Sequence, residues 1–333
     1  LYGEAAIMMH KKMRVVSAAF LGVFLSVSMA FGGMNIKVAH VVNEQDAFQV
    51  CALKFKEVVE AETGGEITVT IFPNAKLGDE RALLENMKMG AVDAGIITSG
   101  PIINFLPEFG IFDLPFLFRN PEHAYAVLDG PIGQEMLQSM ESQGWMGLAY
   151  GERGFRDLTN SKKAVQTPED MKGLKIRLMQ NPVYVESFKL LGANAVPMAW
   201  TEALTALQQG TIDGQENPLN VIVSFKLFES QKYLSLTRHA YAPNVIMMSK
   251  ITWNRLSPEQ QEIVKKAAAE AAWENRNYDN EKAAEWLQFL KDQGMEVVEN
   301  PDLGAFRQAV QPLYDKYEEK FGKERLRAIA DTQ

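Results

Sequence analysis

Residues 174–219 read LKIRLMQNPVYVESFKLLGANAVPMAWTEALTALQQGTIDGQENPL, and the fold is decided by how this stretch divides. Leu174–Leu178 is apolar apart from Lys175 and Arg177, as in a buried strand. Asn181-Pro182 opens a helix that runs to Leu191 and stops at Gly192. Ala195–Met198 is a second short strand, Thr201–Gln209 a second helix closed by Gly210, and Thr211–Gln215 a third strand. Asn217-Pro218 opens another helix. An Asn oxygen accepts from orphan N–H groups at a helix start, and Pro at the first helical position loses no hydrogen bond. Gly at a helix end takes positive φ at little cost. In such alternating units the strand ends and the loops after them face a ligand crevice. Arg177, Trp200 and Asn217 fall at those places and offer a guanidinium, an aromatic face and an amide to one cleft.

Upstream, the same alternation holds. Strands are expected at Asn35–Val42, Glu66–Phe72 and Val92–Thr98, with helices at Asp46–Glu62 and Glu80–Met89 between them. This order predicts an α/β fold with a largely parallel sheet. Leu84-x-x-Met87-x-x-Gly90-x-Val92-Asp93 is echoed by Leu204-x-x-Leu207-x-x-Gly210-x-Ile212-Asp213. The echo occurs twice only, so it reads as two lobes on similar plans and not as a solenoid repeat.

Between the lobes, Pro101–Arg119 is too interrupted by Pro for a long helix and reads as a packed loop. Pro131–Gln143 is a helix and Trp145–Tyr150 a strand. Gly151–Arg156 (GERGFR) reads as a glycine-punctuated turn crossing between lobes, with Tyr241–Ser249 the return strand. Ser257-Pro258-Glu259-Gln260 is a capping box. It starts a helix to about Gln293, roughly 55 Å long at 1.5 Å per residue, enough to lie across both lobes. Trp273 and Trp286 on it are expected to pack. A short strand at Met295–Val298 and helices to Ala330 finish the chain.

Composition narrows the function. The 333 residues are 47% apolar and 23% charged, with net charge −8. This is ordinary globular composition, and an acidic chain without basic clusters argues against nucleic-acid binding. Met9–Arg14 is a basic n-region, Val15–Ala30 an uncharged apolar stretch, and Ser28-Met29-Ala30 a small-x-small cleavage site. That is the pattern of a secretory signal peptide, with residues 1–8 reading as an extension upstream of the true start. Removing residues 1–30 leaves 31 basic and 41 acidic residues, net −10. The expected location is the periplasm. Cys51, the single cysteine, excludes an internal disulfide and is expected in the core.

Enzyme signatures are sparse. There is no G-x-S-x-G, H-E-x-x-H, G-x-x-x-x-G-K or G-x-G-x-x-G. His40, His123 and His239 are not at metal-ligand spacing. No cofactor and no metal are expected. The positive signal is anion binding. A strand arginine such as Arg177 presents a planar fork to a carboxylate, and burial without a partner is costly. Either a protein carboxylate, with Glu202 or Glu216 as candidates, or a ligand must meet it. Read from pattern alone, Arg156 is an exposed loop arginine, Trp200 a core residue and Asn217 a helix cap.

The motifs K-I-R-L-M-Q-N-P (175–182) and G-A-N-A-V-P-M-A-W-T-E-A-L-T-A-L-Q-Q-G-T-I-D-G-Q-E-N-P-L (192–219) closely resemble the solute-binding proteins of tripartite ATP-independent periplasmic (TRAP) transporters, dicarboxylate-receptor type. L-G-D-E-R (77–81), L-P-F-L-F-R-N (114–120) and G-F-R-D-L-T-N (154–160) look like motifs of the same family. The resemblance implies a two-lobe periplasmic binding protein fold. Lobe I is then 31–153 with 243–282, and lobe II is 154–242 with 283–333. It implies a non-enzymatic receptor that captures an organic acid, a C4-dicarboxylate or a sugar acid, and delivers it to the small and large membrane subunits of the permease; a monomer is the simplest expectation. By similarity Arg177 pairs with the ligand carboxylate, Arg156 is a second cleft arginine, Asn217 orients the carboxylate and Trp200 packs against the ligand. Thr98 stands where some relatives carry a polar or acidic contact. Alternatives are a receptor for an ATP-driven importer, a periplasmic lyase or isomerase, and a sensor subunit.

Overall fold

A computed structural model of the protein describes residues 33–333. The expected signal peptide lies outside the described residues. The first half of the fold follows the alternation of the sequence: β1 (Met34–Ala39), α1 (Ala47–Glu62), β2 (Ile67–Phe72), α2 (Glu80–Lys88) and β3 (Ala94–Thr98). β1 lies between β2 and β3 and is parallel to both. Along β2, Ile67 and Val69 are buried while Thr68 and Thr70 are exposed, the period of a strand with one covered face. Asp46 caps α1 by accepting from the Phe48 N–H. Cys51 is fully buried on the core face of α1. Residues 100–119 form a packed loop of two 3-10 turns, Gly100–Asn104 and Pro107–Asp113, that buries Ile102, Phe109 and Phe112. Two short helices follow, α3 (Pro121–Asp129) and α4 (Pro131–Ser139). α3 was not foreseen, although Asn120-Pro121 repeats the Asn-Pro start and the Asn120 side chain accepts from the His123 N–H.

The glycine-rich segment 151–156 is not a turn. It lies inside β4, one strand from Trp145 to Asn160. The glycines serve bulges and close packing. The register of β4 shifts at three places, and Gly154 has φ +106°, which only glycine adopts cheaply. A bulge bends a strand and increases its twist, so the strand continues from one half of the molecule into the other.

The second half repeats the first: β5 (Lys175–Leu178), α5 (Pro182–Leu190), β6 (Asn194–Pro197), α6 (Trp200–Gln208) and β7 (Gly214–Asn217). β5 lies between β6 and β7, parallel to both. The sequence echo has one physical meaning in both places. Gly90 and Gly210 end α2 and α6 with φ +74° and +67°. Asp93 then accepts from the Lys37 backbone N–H at 2.9 Å and Asp213 from the Lys175 backbone N–H at 2.8 Å. Each aspartate ties the start of its half's third strand to the central strand. β7 begins three residues later than expected because Thr211 donates back to Ala206 and closes the helix end.

α7 (Leu219–Ser224) leads to β8 (Tyr233–Ser249), the return strand, eight residues longer at its start than expected. β8 pairs antiparallel with β3 and β4, and β4 pairs antiparallel with β7. One sheet of order β2-β1-β3-β8-β4-β7-β5-β6 results. The short α8 (Lys250–Trp253) precedes α9 (Pro258–Asp292), whose 35 residues start at the Ser257 capping box. Along α9 the small residues Ala267, Ala268, Ala271 and Ala272 are buried. Asn275 then bonds both crossing strands, accepting from Glu152 N and Asn244 Nδ2 at 2.7 Å each. Trp273 departs from expectation: it is 64% exposed, because the alanine stripe faces inward and position 273 faces out. β9 (Glu296–Val298) pairs with β8. α10 (Leu303–Phe321) packs Phe306 and Val310 with Ile176, Leu178 and Tyr184. α11 (Lys323–Asp331) ends against the first half, where Arg119 and His123 bond the carbonyls of Ala330 and Ile329.

Candidate functional site

The C-terminal ends of β1, β3, β5 and β7 converge where the two halves of the sheet meet the crossing strands, the place where open α/β sheets bind ligands. Arg177 is on β5 between Ile176 and Leu178, which belong to the core on the other face. Strand alternation therefore sends Arg177 into the crevice. It is 3% exposed. Its Nε and Nη2 donate to the Met198 carbonyl at 3.1 and 2.7 Å, and its guanidinium lies 5.4 Å from the Trp200 ring centroid. Among the described residues it forms no ion pair. Neither Glu202 nor Glu216 meets it. Burial pulls the guanidinium down to about 10, against the pull of nearby Glu216; it keeps its charge at neutral pH.

Trp200 starts α6 and packs edge-on against Phe225 at 5.0 Å. Its indole N–H is buried and has no hydrogen-bond partner among the described residues. Arg177 and Trp200 line one small pocket together with Glu80, Arg81, Gln180 and Met198.

Arg156 is not the exposed loop residue that its context suggests. It is 1% exposed on β4 and paired with the Glu216 carboxylate through Nε and Nη2, the latter at 2.9 Å. Burial would raise the Glu216 carboxyl; Arg156 and His239 outweigh it and hold it at about 2. His239 Nε2 lies 3.2 Å from Glu216, and His239 Nδ1 lies 2.8 Å from the Thr237 hydroxyl. Asn217 does not cap a helix. It is the last residue of β7, its Oδ1 accepting from Arg156 at 3.0 Å and its Nδ2 donating to Gln215 at 2.5 Å. Arg153 is buried as well, 2.6 Å from Asp46 and stacked over Phe48.

Thr98, at the end of β3, brings in a residue the sequence reading passed over. Its backbone N–H donates to Glu80 Oε1 at 2.8 Å. A carboxylate thus reaches this strand end from the first turn of α2. Glu80 looked like an ordinary helix-start acid, and only the strand alignment shows where it points. The two halves also touch directly: Asn181 Nδ2 reaches the Gly100 carbonyl at 2.9 Å and Asp113 at 2.7 Å, and Asn104 reaches the Gln180 carbonyl at 2.7 Å. Asn181 is at once the cap of α5, as expected. No group of three His, Cys, Asp or Glu side chains suited to a metal occurs among the described residues.

Residues 38–320 match the model of bacterial extracellular solute-binding protein, family 7. A solute-binding protein of Verminephrobacter eiseniae is 45% identical over 279 residues, 84% of this chain and 83% of that one. The 2,3-diketo-L-gulonate-binding periplasmic protein YiaO of Escherichia coli is 37% identical over 303 residues, 90% of this chain and 92% of that one. A solved TRAP periplasmic solute-binding protein from Polaromonas sp. JS666, bound to D-erythronate, superposes with TM-score 0.89 at 41% identity, covering 90% of this chain and 99% of that chain.

Proposed function

The chain belongs to family 7 of the bacterial extracellular solute-binding proteins, the DctP-like receptors of TRAP transporters, and from that premise we propose that Arg177 is the anchor for the carboxylate of an organic acid. The observation that carries this is a buried guanidinium with no ion-pair partner among the described residues. A buried unpaired charge is costly, and a ligand carboxylate, bonded bidentately as water leaves, supplies what the fold withholds. The unpartnered Trp200 indole N–H beside it offers a further donor. Arg156 and Asn217 support the anchor from below, in a network that Glu216 already neutralises. Thr98 acts through the carboxylate it holds.

Capture then proceeds by closure. The crossing strands β4 and β8 and helix α9 connect the halves, so ligand contacts from both sides favour the closed arrangement. We place the lobe boundaries near 153/154, 242/243 and 282/283, with α11 returning to lobe I. The receptor works in the periplasm as a monomer, catalyses no reaction, and passes its ligand to the small and large subunits of an ion-gradient-driven permease. Thermal unfolding of the purified protein against organic acids, neutral sugars and amines tests the reading. A ligand at 100 times its Kd adds about 2.7 kcal/mol. Stabilisation by carboxylates is expected; stabilisation by neutral sugars or amines alone, or turnover of a bound acid, overturns it.

A further inference from the structure

A second cavity lies behind the crossing strands, away from Arg177. Its volume is about 280 Å³, and β4, β8, the start of α7 and the second half of α9 enclose it. Arg156 on β4 faces the cleft, so its strand neighbours Phe155 and Asp157 face the other way and line this cavity. Phe155, Leu219, Leu236 and Trp286 give it an apolar wall. Glu152, Asp157, Asp279 and Asn220, all buried, are the polar groups along it.

These groups leave over acceptor capacity only. Asn220 is 3% exposed; its Nδ2 donates to Asp279 at 2.7 Å, and its Oδ1 is buried without a hydrogen-bond partner among the described residues. The three carboxylates meet neutral donors and form no ion pair among the described residues: Glu152 accepts from the Tyr125 hydroxyl, Asp157 from the Arg238 backbone N–H, and Asp279 from the Asn220 and Asn275 amides. The guanidiniums nearby are engaged, Arg153 with Asp46 and Arg276 with Asp129 at 2.6 Å each, while Arg238 at the rim lies over the Phe155 ring. Burial pushes all three carboxyls up, Glu152 and Asp157 to about 7, and the charge of Glu152 pushes Asp279 further. A cation beside them relieves both effects. A metal ion does not fit, since no three such side chains are grouped to hold one among the described residues. Apolar walls with a few convergent polar groups suit an organic body.

We propose that this cavity is a second ligand site, taking a primary ammonium on a short apolar body, and that its occupant favours closure of the lobes. The cavity straddles the boundaries placed at 153/154 and 282/283, with Glu152 and Asp279 on one side and Phe155 and Trp286 on the other. On the cleft side the halves are in contact through Asn104 with Gln180 and Asn181 with Gly100. A clamp that shuts in front widens behind. A guest that fills the cavity in this arrangement therefore holds the lobes together and tightens the acid by the factor by which the acid tightens the guest. The coupling rests on closure as the mode of capture; the site itself does not.

Calorimetric titration of the purified protein with phenethylamine and the neutral 2-phenylethanol, at about pH 8 where the carboxyls ionise, tests this. The amine should bind at one site, at least about 10-fold tighter than the alcohol, as loss of a charge partner predicts. Glu152→Gln keeps an acceptor for Tyr125 and should weaken the amine by at least about 10-fold. Ala283→Phe, at an exposed position of α9 that lines the cavity, should fill it and abolish amine binding. Both variants should still bind the acid that stabilises the wild type, and saturating amine should tighten that acid about 3-fold or more in the wild type. Arg177→Met should lose the acid and keep the amine, so the two sites fail separately. No amine binding, equal binding of amine and alcohol, or amine binding unaltered in both cavity variants overturns the site; an acid affinity unmoved by bound amine overturns the coupling.

Discussion

Replacing Arg177 by methionine should abolish ligand binding while leaving the ligand-free fold almost unchanged, an unusual pairing for a residue 3% exposed. Burial brings the guanidinium from its ordinary 12.5 to about 10, and at about 1.4 kcal/mol per tenfold the chain holds this charge at a cost of roughly 3 kcal/mol. Against that stand hydrogen bonds from Nε and Nη2 to the Met198 carbonyl, about 1.5–3 kcal/mol for a charged donor. The face of Trp200 adds about 0.5–2 kcal/mol. These nearly cancel, and methionine keeps most of the apolar volume. Ligand-free stability should change by no more than about 1–2 kcal/mol, roughly 4 °C in Tm for a chain of this size. Binding should suffer far more, since truncating one partner of a buried charge pair costs about 2–5 kcal/mol, or roughly 30- to 4,000-fold. The assay is thermal unfolding of both proteins with and without the acid that stabilises the wild type. A fall of more than about 8 °C without ligand, with the ligand response retained, would make Arg177 a structural residue and refute the reasoning.

Arg156→Met should behave in the opposite way: it strands the Glu216 carboxylate in the core and should cost about 3–5 kcal/mol, seen as a clear drop in the ligand-free Tm; an unchanged Tm would show that Glu216 is not dependent on it. Gly151→Ala would bring a methyl within 2.4 Å of Asn275 Oδ1 and 2.6 Å of Asn244 Oδ1. Overpacking of this kind costs about 1–3 kcal/mol, so urea unfolding should shift to a lower midpoint, and wild-type stability would mean that α9 is not fastened where β4 and β8 cross. Stability should rise as pH falls from 8 towards 5. Burial holds Asp113, Glu152 and Asp157 at about 7, above their unfolded values, so the folded chain takes up protons before the unfolded one does. His40, lowered by burial, opposes this below its unfolded value near 6.5. The stability that Glu216 contributes is lost only as pH falls from the ordinary Glu value towards 2. A Tm that drops steadily from pH 8 to 5 would contradict these assignments.

Much of the fold was legible because it rests on local rules. The Asn181-Pro182 and Ser257-Pro258 starts and the Gly192 and Gly210 stops are backbone chemistry written in single residues, and the structure uses each of them as such. The echo at Asp93 and Asp213 was also readable, though its purpose, tying a neighbouring strand's N–H, needed the strands side by side. Where the reading failed, tertiary contacts overrode local signals. Glycines at 151 and 154 punctuate a turn in most contexts; here bulges and the approach of Asn275 keep the chain in one long strand. The aromatic Trp273 was expected inside, but the alanine stripe decided which side of α9 packs.

The site divides along the same line. Sequence alone put a guanidinium on a strand, an amide at a strand end and an indole at the helix start after a strand, because strand period and helix stops place residues 177, 217 and 200 there. It could not determine which charges are spent. Arg156 and Arg177 are alike as letters. That Glu216 pairs with the first and leaves the second free depends on β4 lying beside β7, two strands about 60 residues apart in the chain. Glu80 and Thr98 are likewise joined only by the packing of α2 against the end of β3. Charge balance is a sum over neighbours in space, and those neighbours are set by the sheet order.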